Sequence, residues 1–171
     1  MFKLSALLFI FASCAIVGFY QASRLTRRKI LLIQYRDLLQ RLETEMGYFK
    51  EPLPRILEKL HSGTNEPVDL LLRQCMLEIE NGTEGLEIIW TCAVRSAYEQ
   101  EPLKTADYAV LNKCGSFIGQ SDYQRQKGHF SLVKEEISRQ INNAEEDCRT
   151  KGPLYSRAGL SVGAIVIIAL L

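Results

Sequence analysis

The 171-residue sequence predicts an all-α fold: a six-helix bundle between an N-terminal transmembrane helix and a short C-terminal hydrophobic helix. Three observations carry that expectation. Apolar residues in the middle of the chain recur at helical spacing. Proline, glycine and small polar residues interrupt them about once per short helix. Both ends of the chain are long runs without charge. No run of alternating β-branched residues competes with helix. The expected division is an anchor over residues 1–21, a cytoplasmic bundle over 22–152 and a hydrophobic membrane helix over 153–171.

The first uncharged run, Leu4–Tyr20, has 17 residues, and at ~1.5 Å per residue it covers roughly 26 Å of a hydrocarbon layer about 30 Å thick. The second, Ala158–Leu171, has 14 residues and covers roughly 21 Å. A helix starting with Pro153 in its first turn would extend that second run, with Arg157 snorkelling to the head groups. Lys3 precedes the first run, whereas Arg24, Arg27, Arg28 and Lys29 follow it, and Lys151 and Arg157 precede the second. The excess of positive charge therefore assigns the middle of the chain to the cytoplasm and both ends to the far side. A cleaved signal is the rival, because Phe11-Ala12-Ser13-Cys14 loosely resembles a lipoprotein cleavage box. That alternative makes the protein an exported or lipid-anchored helical binding protein. Against it, the apolar run continues through Ala15-Ile16-Val17-Gly18-Phe19, past the usual length of a signal core.

Between the ends, each helix has a start and a stop. Leu31, Tyr35, Leu38, Leu42, Met46 and Phe49 form one stripe along a long first helix that ends before Pro52. A short helix follows from about Leu53 to His61, closed by Ser62-Gly63. Asn65 and Pro67 suit the start of a third, reaching about Glu80. Thr83 caps a fourth through Trp90 to about Gln100, and Pro102 separates it from a fifth over about 103–118. Ser121-Asp122-Tyr123-Gln124 reads as a capping box for the sixth, in which Phe130, Val133, Ile137, Ile141, Ala144 and Cys148 share one face.

With 21 Lys+Arg against 20 Asp+Glu, the net charge is +1 and exerts no general pull on nucleic acid. The distribution is uneven, however. Residues 21–62 hold nine basic and five acidic side chains, residues 63–111 three basic and nine acidic, and residues 112–157 eight basic and six acidic. The central helices should present an acidic face through Glu66, Asp69, Glu78, Glu80, Glu84 and Glu87. Such a face is either a solvated surface or a docking surface for a basic partner.

Chemistry is sparse. The five cysteines (14, 75, 92, 114 and 148) never form CxxC, and the two histidines are His61 and His129, so neither a disulfide framework nor a metal or cofactor site is expected. Phosphate-loop, dinucleotide and zinc-protease motifs are absent from the sequence. Glu43 and Glu45 point about 200° apart on a helix and cannot converge on one substrate. Glu45 reads as a structural carboxylate paired with Arg41. Cys92, Cys114, Cys148 and Trp90 read as core residues and His129 as a core or surface histidine, and no small-molecule substrate is implied.

Two motifs, in order, resemble those of a known family. Leu42-Glu43-x-Glu45-Met46-x-Tyr48 followed by Pro52-Leu53-Pro54, and later Gly115-x-x-Ile118-Gly119-x-Ser121-Asp122-x-x-x-Gln126, are similar to the signatures of stage III sporulation protein AB of endospore-forming Firmicutes. Trp90, Leu154-Tyr155 and Gly159-Leu160-Ser161-Val162-Gly163 fit as well. Ile118 departs from the family's common leucine. The resemblance implies a fold similar to the helical domain of the type II secretion inner-membrane platform protein. It implies a nonenzymatic place in the complex linking mother cell and forespore, in the outer forespore membrane. It also implies a neighbouring secretion-type ATPase, stage III sporulation protein AA, together with other channel subunits. The motif residues themselves read as fold-determining.

Overall fold

From Leu4 to Met46 the sequence contains no proline and one glycine, so nothing interrupts helix propagation. In the computed structural model, α1 accordingly runs unbroken over Phe2–Phe49. The structure describes the backbone of residues 2–49, 51–82, 85–118 and 123–170, and side chains over 10–47, 51–82, 85–118, 126–166 and Ile168. Among the described residues there are six α-helices and no strand: α1, α2 (Leu53–Leu60), α3 (Pro67–Glu80), α4 (Leu86–Tyr98), α5 (Thr105–Asn112) and α6 (Tyr123–Leu170).

The all-helical expectation is met, with a different division of the ends. The apolar segments are not separate helices: the first is the start of α1 and the second the end of α6. Pro153 lies inside α6 rather than in the first turn of a new helix. Its ring faces solvent, so the carbonyl that loses its helical donor can be hydrated, and Ser156 Oγ donates to the Gly152 carbonyl at 3.2 Å. Among the described residues, no helix is long and apolar enough to cross a membrane.

The chain divides into two compact units, Met1–Lys29 with Asn142–Leu171, and Ile30–Ile141. In the second unit the apolar stripes meet. Tyr35, Leu38 and Leu42 of α1, Leu71, Leu72 and Cys75 of α3, Trp90 and Val94 of α4, and Phe130, Val133 and Ile137 of α6 are all buried. Each large apolar side chain so buried contributes about 1.5–3 kcal/mol relative to exposure. Cys114 is also core, whereas Cys92 is exposed on α4 and Cys148 is half-buried.

The start of α3 uses a device other than the expected side-chain cap. Neither Asn65 nor a hydroxyl caps α3; Glu66 occupies the cap position without a side-chain capping bond. Instead Asp69, in the first turn, reaches back to the Ser62 amide at 3.0 Å and the Thr64 amide at 2.8 Å, and accepts the Thr64 hydroxyl. In α5, Asp107 likewise accepts the Lys104 amide at 2.8 Å. The bond of Asp107 is the reciprocal half of a capping box, whereas Asp69 ties down the loop ahead of the cap residue. The fourth helix starts after Gly85, at φ 89°, and Thr83 lies outside the described residues. The fifth is shorter than expected because its continuation, Lys113–Ser116, tightens into a 3-10 turn.

In the first unit, α1 and α6 are joined by charge. Arg28, 2% exposed, donates to Asp147 at 3.2 Å, Lys151 pairs with Asp147 at 2.6 Å, and Lys29 pairs with Glu145 at 3.1 Å. A buried arginine of this kind is tolerated only when its charge is met at hydrogen-bond distance.

Candidate functional site

The first motif sits at the end of α1. Because Glu43 and Glu45 face different directions, each meets a different neighbour. Glu43 accepts from Lys134 of α6 at 2.5 Å, and the same ammonium reaches Gln40 at 3.0 Å. Glu45 lies 3.9 Å from Lys59 of α2, in place of the expected Arg41, and Lys59 also holds Glu51 at 2.8 Å. The pair of carboxylates therefore ties α1 to α6 on one side and to α2 on the other. Pro52 precedes α2 in extended conformation, and its carbonyl accepts the Arg55 amide at 3.0 Å. Pro54 sits in the first turn, where a missing N–H costs no helical bond. The Tyr48 side chain lies outside the described residues.

In the second motif, Gly119, Ser121 and Asp122 lie outside the described residues, and with them the expected capping box. Gln126 is described and buried, and its Nε2 donates to the Phe117 carbonyl at 3.0 Å. Phe117 packs edge-on to Phe130 with ring centres 5.0 Å apart, and the exposed His129 stacks on it at 5.4 Å. Gly115 fits where no side chain could: a Cβ there would lie 2.9 Å from Trp90 Cβ and 3.1 Å from Glu87 Cα. The 3-10 turn thus lies directly on the α4 backbone.

Between the motifs is a polar anchor that the sequence did not single out. The Leu111 carbonyl, near the end of α5, accepts both the Tyr35 hydroxyl at 2.7 Å and Trp90 Nε1 at 3.0 Å. Burial raises the Tyr35 hydroxyl well above its ordinary pKa, with Cys114 adding to the rise. Burial likewise pushes the Cys75 and Cys114 thiols up to about 12. These groups are neutral packing elements with hydrogen-bonding tips, unsuited to nucleophilic work at neutral pH.

The acidic residues do not form one cluster. Glu66, Glu80 and Glu87 are exposed, Glu78 is half-buried and accepts from Gln74 at 3.0 Å, and Glu84 lies outside the described residues. Asp69 is buried in its loop and leaves the exposed face. Burial opposes its charge, but the bonds from Ser62, Thr64 and His61 prevail and hold its carboxyl below the usual range. Beside it runs a groove of about 220 Å³, lined by Asp37, Arg41, Leu60, Thr64 and Val68. Among the described residues, no three His, Cys, Asp or Glu side chains are grouped to hold a metal ion.

The arrangement defines a helical scaffold: the described motif residues join helices or begin them. The chain belongs to the stage III sporulation protein AB family, whose model matches residues 3–171. It is 25% identical to stage III sporulation protein AB of Bacillus subtilis (strain 168) over 171 residues, the full length of both chains. A solved structure of stage III sporulation protein AB shares the fold, with a TM-score of 0.65 at 24% identity over 71% of this chain and 96% of that one. The family gives the chain a role in sporulation, and its name suggests a component of a complex rather than an enzyme.

Proposed function

We propose that the chain is a nonenzymatic membrane platform subunit of the mother cell–forespore channel complex, required for endospore formation, with its bundle facing the mother-cell cytoplasm. Its partners would be the stage III sporulation protein AA ATPase and other channel subunits, and its membrane the outer forespore membrane. The observation that carries this reading is the full-length family match on a chain whose described signature residues join helices. Membrane insertion draws support from the first unit. Ile16, Val17, Phe19 and Tyr20 on α1 and Leu160, Val162, Ile165 and Ile168 on α6 are exposed apolar residues. The next charges inward along each helix include Arg24 on α1 and Arg157 and Lys151 on α6, a pattern that suits anionic head groups on the cytoplasmic side.

Isolation of the full chain from sporulating cells tests the reading. It should sediment with membranes, be cleaved in the bundle by protease added from the mother-cell side, and bring the ATPase with it. A bundle reached by protease only from the intermembrane side would instead support an exported protein and overturn the platform role.

A further inference from the structure

We propose that the apolar halves of α1 and α6 enter the bilayer as one antiparallel pair clasped through glycine, so that lipid covers only the outer surface of the pair. The inference rests on the membrane reading above.

Three glycines mark where the two helices touch. A Cβ on Gly18 would lie 2.7 Å from the Tyr155 carbonyl oxygen and 3.1 Å from Gly159 Cα. One on Gly159 would lie 2.8 Å from the Cys14 carbonyl oxygen and 3.0 Å from Gly18 Cα. One on Gly163 would lie 2.8 Å from Phe11 Cδ2. At Gly128 and Gly152, by contrast, a Cβ would meet nothing within 4 Å. The facing residues, Phe11, Cys14 and Gly18 against Tyr155, Gly159 and Gly163, recur at steps of three and four, so each set occupies one helix face. Moving outward by four residues on α1 moves outward by four on α6, as an antiparallel pair requires.

Inside a bilayer there is no hydrophobic drive to bring two apolar helices together. Close backbone approach over small residues is what favours their association there. The pair is also joined on the cytoplasmic side of the clasp, where Arg28 meets Asp147 and Lys29 meets Glu145. Arg28 lies ten residues from Gly18, roughly 15 Å along α1, which separates an ionic lock at head-group depth from a glycine clasp in hydrocarbon. Arg24 and Arg149 are exposed near that depth, and Arg157, exposed beside Gly159, has a side chain long enough to snorkel back toward it, so the charge beside the apolar surface complements anionic lipid.

A cross-link tests the clasp. A Cβ on Gly163 would lie 3.4 Å from Cys14 Cβ, close to the ~3.5–4.5 Å range of disulfides. The full chain carries Gly163→Cys with Cys92→Ser and Cys148→Ser; Cys75 and Cys114 stay, since they are buried and their thiols lie near 12. It is reconstituted in phosphatidylethanolamine–phosphatidylglycerol vesicles, floated, and oxidised with copper phenanthroline. The expected product is a fast-migrating monomer closed between positions 14 and 163, lost on adding Gly159→Leu and kept on adding Gly152→Ala. Floating protein that gives no such monomer, or only cross-linked dimers, overturns the clasp and leaves the membrane reading standing. Protein that fails to float overturns both. A second chain with Ser161→Cys needs no disulfide. Its thiol should resist a water-soluble maleimide in vesicles, and ready labelling there overturns the paired insertion.

Discussion

Asp69 and Gln126 are the polar side chains on which local structure most depends, and each can be tested by substitution. Asp69→Asn keeps the size but replaces one acceptor oxygen with a donor, which would face the Ser62 or Thr64 amide. Hydrogen bonds to charged groups contribute about 1.5–3 kcal/mol, so a loss of roughly 2 kcal/mol at neutral pH is expected. The pH dependence follows from the lowered carboxyl. A depressed pKa stabilises the fold fully above the unfolded value, near 3.9, and this is lost as pH falls through the folded one. Urea midpoints of wild type and variant should therefore differ at pH 7 and draw together as pH falls below about 4 and through the folded value. A gap undiminished at pH 3 would mean that shape, and not charge, is what Asp69 supplies. For Gln126→Leu, the Phe117 carbonyl loses its buried donor, at a cost of roughly 1–3 kcal/mol. Thermal melting checks this, and an unchanged midpoint would show that another donor takes over.

At the scale of elements, the sequence was most legible where one physical signal dominated. The stripes of the first and sixth helices predicted their buried faces, and Leu31, Leu42, Phe130 and Ile137 are all core. Pro52 marked the true end of the first helix and Pro67 a true helix start. Pro153 did not, because an exposed proline can be carried inside a long helix whose neighbouring turns are held elsewhere. The cap of α3 was misread for a chemical reason. Hydroxyl and amide residues before a helix are the familiar signal, while α3 and α5 use aspartates inside the first turn. The partners of charged side chains were not legible either, since Lys59 and Lys134 reach the first motif from other helices. Gly115 was visible as a motif glycine, but its reason, contact with the α4 backbone, is tertiary. Gly115→Ala should therefore push the 3-10 turn off α4 and cost about 1–3 kcal/mol, as overpacking does. Gly128→Ala, which meets open space inside a helix, should instead leave stability equal or slightly higher. Denaturant titration of both variants separates a packing role from a general effect of glycine.

For the molecule as a whole, charge is the property that varies along the chain while the fold stays uniformly helical. Residues 63–111 carry nine acidic and three basic side chains, and the exposed acids among them run along α3 and onto α4. From Glu66 to Glu80 is 14 residues, roughly 21 Å of helix. That exceeds the ~10 Å screening length at about 0.1 M salt, so these charges act separately under physiological conditions and together only at low salt. A basic partner docking here would gain mainly in association rate and orientation. If the proposed partner, the stage III sporulation protein AA ATPase, docks here, reversing Glu66, Glu80 and Glu87 to Lys should slow its binding several-fold at low salt. The difference should shrink as salt rises, with helical content and melting unchanged. Binding kinetics across a salt series supply the check. A triple variant that associates like wild type at low salt would reduce the acidic face to solvated surface. A variant slowed equally at every salt concentration would indicate contact residues in a desolvated interface, in place of a steering field.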